Sequence, residues 1–353
     1  MIEYTNLARY FDDIKSEYTQ SLEQIAKSEI VFNGPYTKQV ELELEKRSGR
    51  KHALLCTSGS QALSLIFLHL GIQPGDEIIT TNYGPPAIVG PITVIGAVPR
   101  FCDVNEYGSI DCDHLKNLLS PKTKAVVAVG LYGDVHDHDA VKSFCDEHNL
   151  VYINDANQSC FAKYKGVESL SLGDFATMGF AENKPIPTMA TFGAVLFDET
   201  EIYESVSRLR KHGKSERFKP IIGTGYNSWP DEQRSAQILL SLDRFDDWQA
   251  RRNRIADFYN DKFKDIEVRP RPTYSEWNTH KYAIMFKDKI KAHDRLLELG
   301  IKTVPHYTDS FGGSGYEMTE KFIKQSLSIP LNPYMTDAEV YDVVSAVKKV
   351  YNE

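Results

Sequence analysis

The sequence predicts an α/β protein with a mainly parallel, mixed sheet covered by helices, followed by a smaller C-terminal α/β piece. Three observations predict it. From residue 53 onward, short apolar runs alternate with helical stretches, the pattern of a parallel sheet covered on both faces. After Pro230 a long helical stretch runs to about residue 263, with Leu239, Leu242, Phe245 and Trp248 as its apolar stripe. Beyond it a strand-like run at 282–286 and a helical run at 291–299, closed by Gly300, form a second, shorter α/β pattern. The 353 residues suffice for two domains sharing an interface or for one large α/β unit. The expected division is 1–235 for the large domain, N-terminal helix included, and 236–353 for the linking helix and the small domain.

In chain order, residues 11–26 read as an amphipathic helix with Ile14, Tyr18, Leu22 and Ile25 on one face, a packing or dimer-contact helix. Phe32-Asn33-Gly34-Pro35 makes a turn, and a charged helix over 36–48 ends near Gly49. Strands are expected at 53–56, 77–81, 98–104, 125–131, 150–154, 175–180 and 193–197, with helices at 60–70, 112–119 and 137–148. In such sheets ligands gather beyond the carboxyl ends of the strands, which places Thr57, Asp155 and the loop carrying Lys184 at one edge. The last helix begins at Thr336 with Glu339 three residues on, a capping box, and buries Val340, Val343, Val344 and Val347.

The bulk numbers narrow the function. An apolar fraction of 41% and a charged fraction of 25% are those of an ordinary globular chain. The net charge of −8, without a basic block, argues against nucleic acid or an anionic membrane as the main partner, while local fields leave an anionic substrate open. Five cysteines, an odd count with no CxxC, read as reduced thiols in a cytoplasmic protein. Glu3, Asp12 and Asp13 do not suit a secretory signal, and the most apolar stretch, 87–98, is too short and too broken by glycine and proline to span a bilayer.

The chemistry centres on the run from Phe175 to Pro185, where an apolar strand delivers Lys184 to its end. Alone, Lys184 reads as a solvated loop lysine. The preceding apolar strand, however, runs out at Asp155. A lysine and a carboxylate at the ends of nearby strands are what pyridoxal 5'-phosphate requires. The amine holds the cofactor aldehyde, and the acid pairs with the ring nitrogen and keeps it protonated. Ser58-Gly59-Ser60 follow the first strand and open an apolar helix, which makes either a phosphate cup of unpaired amides or a plain N-cap. His136 and His138 invite a metal, but their spacing fits a helix N-terminus equally, and no distant Cys/His cluster supports a site; no metal is expected. Tyr132, before Gly133, stands at a strand end as a pocket-lining residue.

Together Asp155-x-x-Gln158, Phe180-x-x-Asn183-Lys184 and Gly225-Tyr226-Asn227-Ser228 resemble the DegT/StrS sugar aminotransferases, from about residue 30 to the C-terminus. The resemblance implies the aspartate aminotransferase fold, pyridoxal 5'-phosphate as cofactor, and a homodimer with shared active sites. It implies that Lys184 is catalytic and that Ser58, Gly59, Ser60, Tyr83, Asp155, Gln158, Lys184 and Asn227 bind the cofactor. Gln158 then touches the cofactor's phenolic oxygen, and Asn227 reaches the phosphate held by the partner subunit. Tyr132, His212, Trp229 and His306 fall to the substrate side.

Four positions depart from the family pattern. Pro85 stands where an aromatic ring usually stacks on the cofactor, with Tyr83 two residues earlier to take the role. Gly179 replaces a serine that donates to the phosphate, Trp229 replaces an arginine, and Ala190-Thr191-Phe192-Gly193 replaces Gly-Glu-Gly-Gly. The resemblance implies transfer of an amine, from an amino-acid donor such as glutamate, to a keto group of a nucleotide-linked deoxysugar. The run Phe180 to Thr188 favours 4-keto over 3-keto acceptors. Two alternatives stay open: a pyridoxal-phosphate enzyme for another small phosphorylated ketone, and a non-catalytic protein on the inherited fold.

Overall fold

The computed structural model describes residues 1–214 and 223–353. Two helices, α1 (Leu7–Ser28) and α2 (Pro35–Ser48), precede the sheet. Seven strands follow: β1 (His52–Cys56), β2 (Glu77–Thr81), β3 (Val98–Cys102), β4 (Thr123–Val129), β5 (Val151–Asp155), β8 (Phe175–Phe180) and β9 (Phe192–Phe197), with β6 (Lys163–Tyr164) and β7 (Val167–Glu168) forming a small side hairpin. Their order across the sheet is β1-β9-β8-β5-β4-β2-β3. Neighbours run parallel except that β9 is antiparallel to both β1 and β8. The central strands are buried along their length, as a sheet covered on both faces demands. At the edge, β3 carries Pro99 and leaves Val98 exposed, where a missing amide does least harm.

Helices α3 (Gly59–His69), α4 (Val89–Val94), α5 (Cys112–Leu115), α6 (His138–His148) and α7 (Thr200–Leu209) connect these strands. The helix expected over 112–119 is shorter, passing into a 3₁₀ turn at Lys116–Leu118. The strand expected to reach Val104 stops at Cys102, because Val104 turns to bridge Ile110 instead. Asp137 caps α6, and His136 and His138 both meet the Tyr152 hydroxyl, at 2.5 and 3.2 Å.

The long helix α8 (Glu232–Lys262) serves two cores. Ile238, Leu242 and Phe245 pack with the large sheet, whereas Ile255, Ala256 and Tyr259 pack into a second cluster. That cluster covers the antiparallel pair β11 (Tyr282–Met285) and β12 (Ser326–Ile329), flanked by α9 (Lys289–Glu298), α10 (Glu317–Gln325) and α11 (Asp337–Tyr351); a two-residue strand, β10 (Ser275–Glu276), joins the side hairpin instead. Thr336 and Glu339 form the capping box of α11. The chain's first residues belong with this second core: Ile2 is buried there and bridges Ile301. Among the described residues, no helix is long and apolar enough to cross a membrane, and the five cysteines are free thiols.

Candidate active site

The carboxyl ends of β1, β5 and β8 converge, and each brings one part of the site. At the end of β1, Ser58 accepts the amide of Gln61 at 3.1 Å and so caps α3. The cap and the phosphate cup are therefore compatible. Ala62 N–H returns to the Ser58 carbonyl, and the amides of Gly59 and Ser60 are left pointing off the helix start, where the partial positive charge of the dipole collects. Strand β9 presses on this turn from below. A side chain at Gly193 would put its first carbon 2.3 Å from the Ser58 carbonyl, so only glycine lets β9 pair with β1 here.

Asp155, at the end of β5, is 3% exposed. Burial pushes its carboxyl upward; hydrogen bonds from Asn157 and the nearby Lys184 charge oppose that shift. Lys184 follows β8 on a turn in which its amide bonds the Ala181 carbonyl at 3.1 Å. Helix α8 clamps the loop beyond it: Ser241 Oγ donates to Pro187 O at 2.8 Å, and Gln237 Oε1 accepts from Met189 N–H at 3.0 Å. Burial lowers the Lys184 amine from its ordinary value, and Asp155 is the largest opposing influence. The two groups thus lie within each other's field, as a ring held between them requires. The dipoles, glycine approaches and acid–amine pair suit pyridoxal phosphate.

Gln158 is buried: Oε1 accepts from Tyr132 N–H at 3.1 Å, and Nε2 donates to the Tyr307 hydroxyl at 2.7 Å. Tyr307 is the aromatic residue that the sequence reading passed over, because it lies in a loop without periodicity. Tyr83 stands behind it. Its ring meets Tyr307 edge-on at 5.3 Å, its hydroxyl bonds Tyr132 Oη and the His306 carbonyl, both at 2.5 Å, and it is fully buried. Tyr307 thus joins the buried Tyr83 to Gln158. Tyr132 is also buried, and its ring faces the Arg269 guanidinium, which pairs with Asp134 beneath it.

Asn227 and His212 occupy one exposed ladder: Lys211 and Asn227 form a bridge, and His212 N–H donates to Tyr226 O at 2.9 Å. Ser228 anchors this ladder to the phosphate turn through Thr57 N–H at 3.2 Å. Arg210, at the start of this ladder, is buried and pairs with Glu41. Trp229 is partly buried beside the anchor. His306 is buried; its ring meets Lys281 Nζ at 3.3 Å and Ser328 Oγ at 3.2 Å.

A group of basic side chains was not legible in the sequence. Arg252 and His280, both buried, line one cavity with Lys184, and Arg252 Nε and His280 Nε2 have no hydrogen-bond partner among the described residues. Lys281 is 5% exposed, and burial followed by the Lys184 charge drives its amine well down.

Compared with known proteins, residues 12–348 match the model of the DegT/DnrJ/EryC1/StrS aminotransferase family. The chain belongs to that family and is a pyridoxal-phosphate-dependent aminotransferase of fold type I. It is 29% identical to a pleiotropic regulatory protein of Geobacillus stearothermophilus, over 98% of this chain and 97% of that one. It is 26% identical to the UDP-2-acetamido-2-deoxy-3-oxo-D-glucuronate aminotransferase of Pseudomonas aeruginosa, over 98% and 99%. The crystal structure of DesV from S. venezuelae superposes with a TM-score of 0.95 at 25% identity, covering 100% of this chain and 99% of that one.

Proposed function

We propose that this aminotransferase passes an amine from glutamate to the keto group of a nucleotide-linked deoxysugar. The observation that carries the reading is the convergence of strand ends that brings the buried Asp155 carboxyl and the half-buried Lys184 beside the helix-start amides of Gly59 and Ser60. When bound, pyridoxal phosphate supplies an electron sink for the carbon that loses or gains a proton. The chain supplies the rest. Asp155 holds the ring nitrogen's proton by charge. Gly59 and Ser60 receive the phosphate, together with the Ser60 hydroxyl. Gln158 fixes the ring's edge. Lys184, its amine weakened as a proton holder by burial, is free to take a proton from the substrate carbon and return it to a neighbouring one.

Anionic reactants suit the site. Arg252 and His280 line the cavity with Lys184, and the unpartnered Arg252 Nε and His280 Nε2 offer an anion hydrogen-bond donors, with the Arg252 guanidinium supplying positive charge. A sugar joined to a diphosphate and a dicarboxylic amino donor both carry the matching charge. The Pseudomonas relative is named for a nucleotide-linked 3-oxo sugar acid, which supports the acceptor class. The Phe180 to Thr188 run places 4-keto acceptors first for this chain.

The test is a two-stage spectral assay. Glutamate should bleach the bound cofactor's visible band, and the right keto sugar nucleotide should restore it. A panel holding 4-keto and 3-keto sugars on both uridine and thymidine diphosphates decides the position. Restoration only by small non-nucleotide ketones would overturn the reading.

The exposed Asn227 ladder, fixed to the phosphate turn by Ser228, supports a homodimer in which Asn227 completes the partner's phosphate site. Asn227→Ala and Lys184→Ala homodimers should each be poorly active. Unfolded together and refolded at equal amounts, they should recover about a quarter of wild-type turnover, since half the dimers then hold one intact site. No recovery means that each chain builds its site alone.

A further inference from the structure

We propose that Asn157 is a cofactor-positioning residue whose carboxamide links the acid at the end of β5 to the glycine turn that opens α3. The inference rests on the cofactor site described above and adds a residue that the sequence reading did not single out. Asn157 spends two donors on one oxygen of Asp155. Its backbone N–H reaches Asp155 Oδ1 at 3.1 Å, and Nδ2 reaches the same oxygen at 2.5 Å. Nδ2 also lies 3.3 Å from Thr177 Oγ1 in β8. With Oδ1 so engaged, Oδ2 is the oxygen left to meet a ring nitrogen, and the carboxyl plane is fixed.

The other end of the same carboxamide touches the phosphate turn. A side chain at Gly59 would place its first carbon 2.4 Å from Asn157 Oδ1, and one at Gly179 would come within 2.1 Å. Neither distance is compatible with a real carbon, so a side chain at either position would displace the Asn157 carboxamide from its place. Gly179 sits inside a buried strand, where glycine otherwise weakens packing and marks a close approach. Here the approaching group is identified: the amide occupies the space that Gly179 vacates.

The experiment titrates cofactor-free protein with pyridoxal phosphate, following absorbance, for wild type, Asn157→Ala, Gly179→Ser and the double variant; melting of each cofactor-free protein is recorded alongside. Asn157→Ala should bind about tenfold more weakly, the usual size of a lost hydrogen bond to a charged group, at temperatures where the cofactor-free variant is fully folded. Gly179→Ser should weaken binding in the wild-type background, where its side chain meets Asn157. In the Asn157→Ala background the same change should cost nothing or restore affinity. Wild-type affinity in Asn157→Ala overturns the proposal. So does lower cofactor-free melting in that variant with no separate loss of affinity, or the same effect of Gly179→Ser in both backgrounds. Wild type that takes up no pyridoxal phosphate removes the functional reading itself and shows in the first arm, before any variant is compared.

Discussion

Lys184→Ala should fold and yet lose turnover by at least about 10⁴-fold, because it removes both the amine that holds the cofactor and the group that moves the proton. Far-ultraviolet circular dichroism should be unchanged, and single-turnover absorbance should show no response to glutamate. Normal transamination by this variant would end the assignment. A companion substitution separates chemistry from stability. Burial lowers the Lys184 amine below its ordinary 10.5, so between the folded value and 10.5 the unfolded chain binds a proton that the folded chain does not. Stability of the cofactor-free protein therefore rises with pH across that window. Lys184→Met keeps most of the packing and removes the titrating group. Its urea midpoint should depend less on pH than that of wild type, and at neutral pH it should lie higher.

Much of the sheet was readable before the structure because its strands are short apolar runs between helical periods. The expected strands at 77–81 and 175–180 agree with β2 and β8 to the residue, and the Thr336 capping box formed as its spacing required. What escaped the reading lacked a period. Helix α4, Val-Gly-Pro-Ile-Thr-Val, carries glycine and proline inside six residues, and the side hairpin strands span two residues each. The site divides in the same way. Asp155, Lys184 and the Ser58-Gly59-Ser60 turn were legible because strand ends and helix starts announce themselves. Tyr307 and Lys281 were not, since a loop or a partly polar strand gives no sign of which side chains turn inward. Tyr83, expected as the ring to replace a missing aromatic, is buried and packs edge-on against Tyr307. Asn157 could have been found from Gly179, because a glycine in a buried strand implies a neighbour that needs the space.

Asp155→Asn should be the second variant with a large effect, and it should move activity and stability in opposite directions. The substitution keeps shape and removes charge. Without the ion partner the ring nitrogen has nothing to hold its proton, and turnover should fall by about 10³-fold, or about 4 kcal/mol, within the range found for breaking a buried charge pair. The cofactor-free protein should gain. Burial raises the Asp155 carboxyl above its ordinary 3.8. Above 3.8 the unfolded chain gives up its proton first, so wild-type stability is greatest below that value and declines as pH climbs through the folded value. Asp155→Asn has no such decline and should unfold at a higher urea concentration at pH 7. The gain should be larger in a chain already carrying Lys184→Met. In wild type the Lys184 charge partly offsets the buried carboxylate; with Lys184 gone the carboxylate is worse off, and with Asp155 also gone no buried charge remains in the pair. The four-variant cycle in urea therefore measures how strongly the two groups feel each other across the cavity. A coupling of zero would mean that they do not share the space a pyridine ring needs, and would take the catalytic pairing with it.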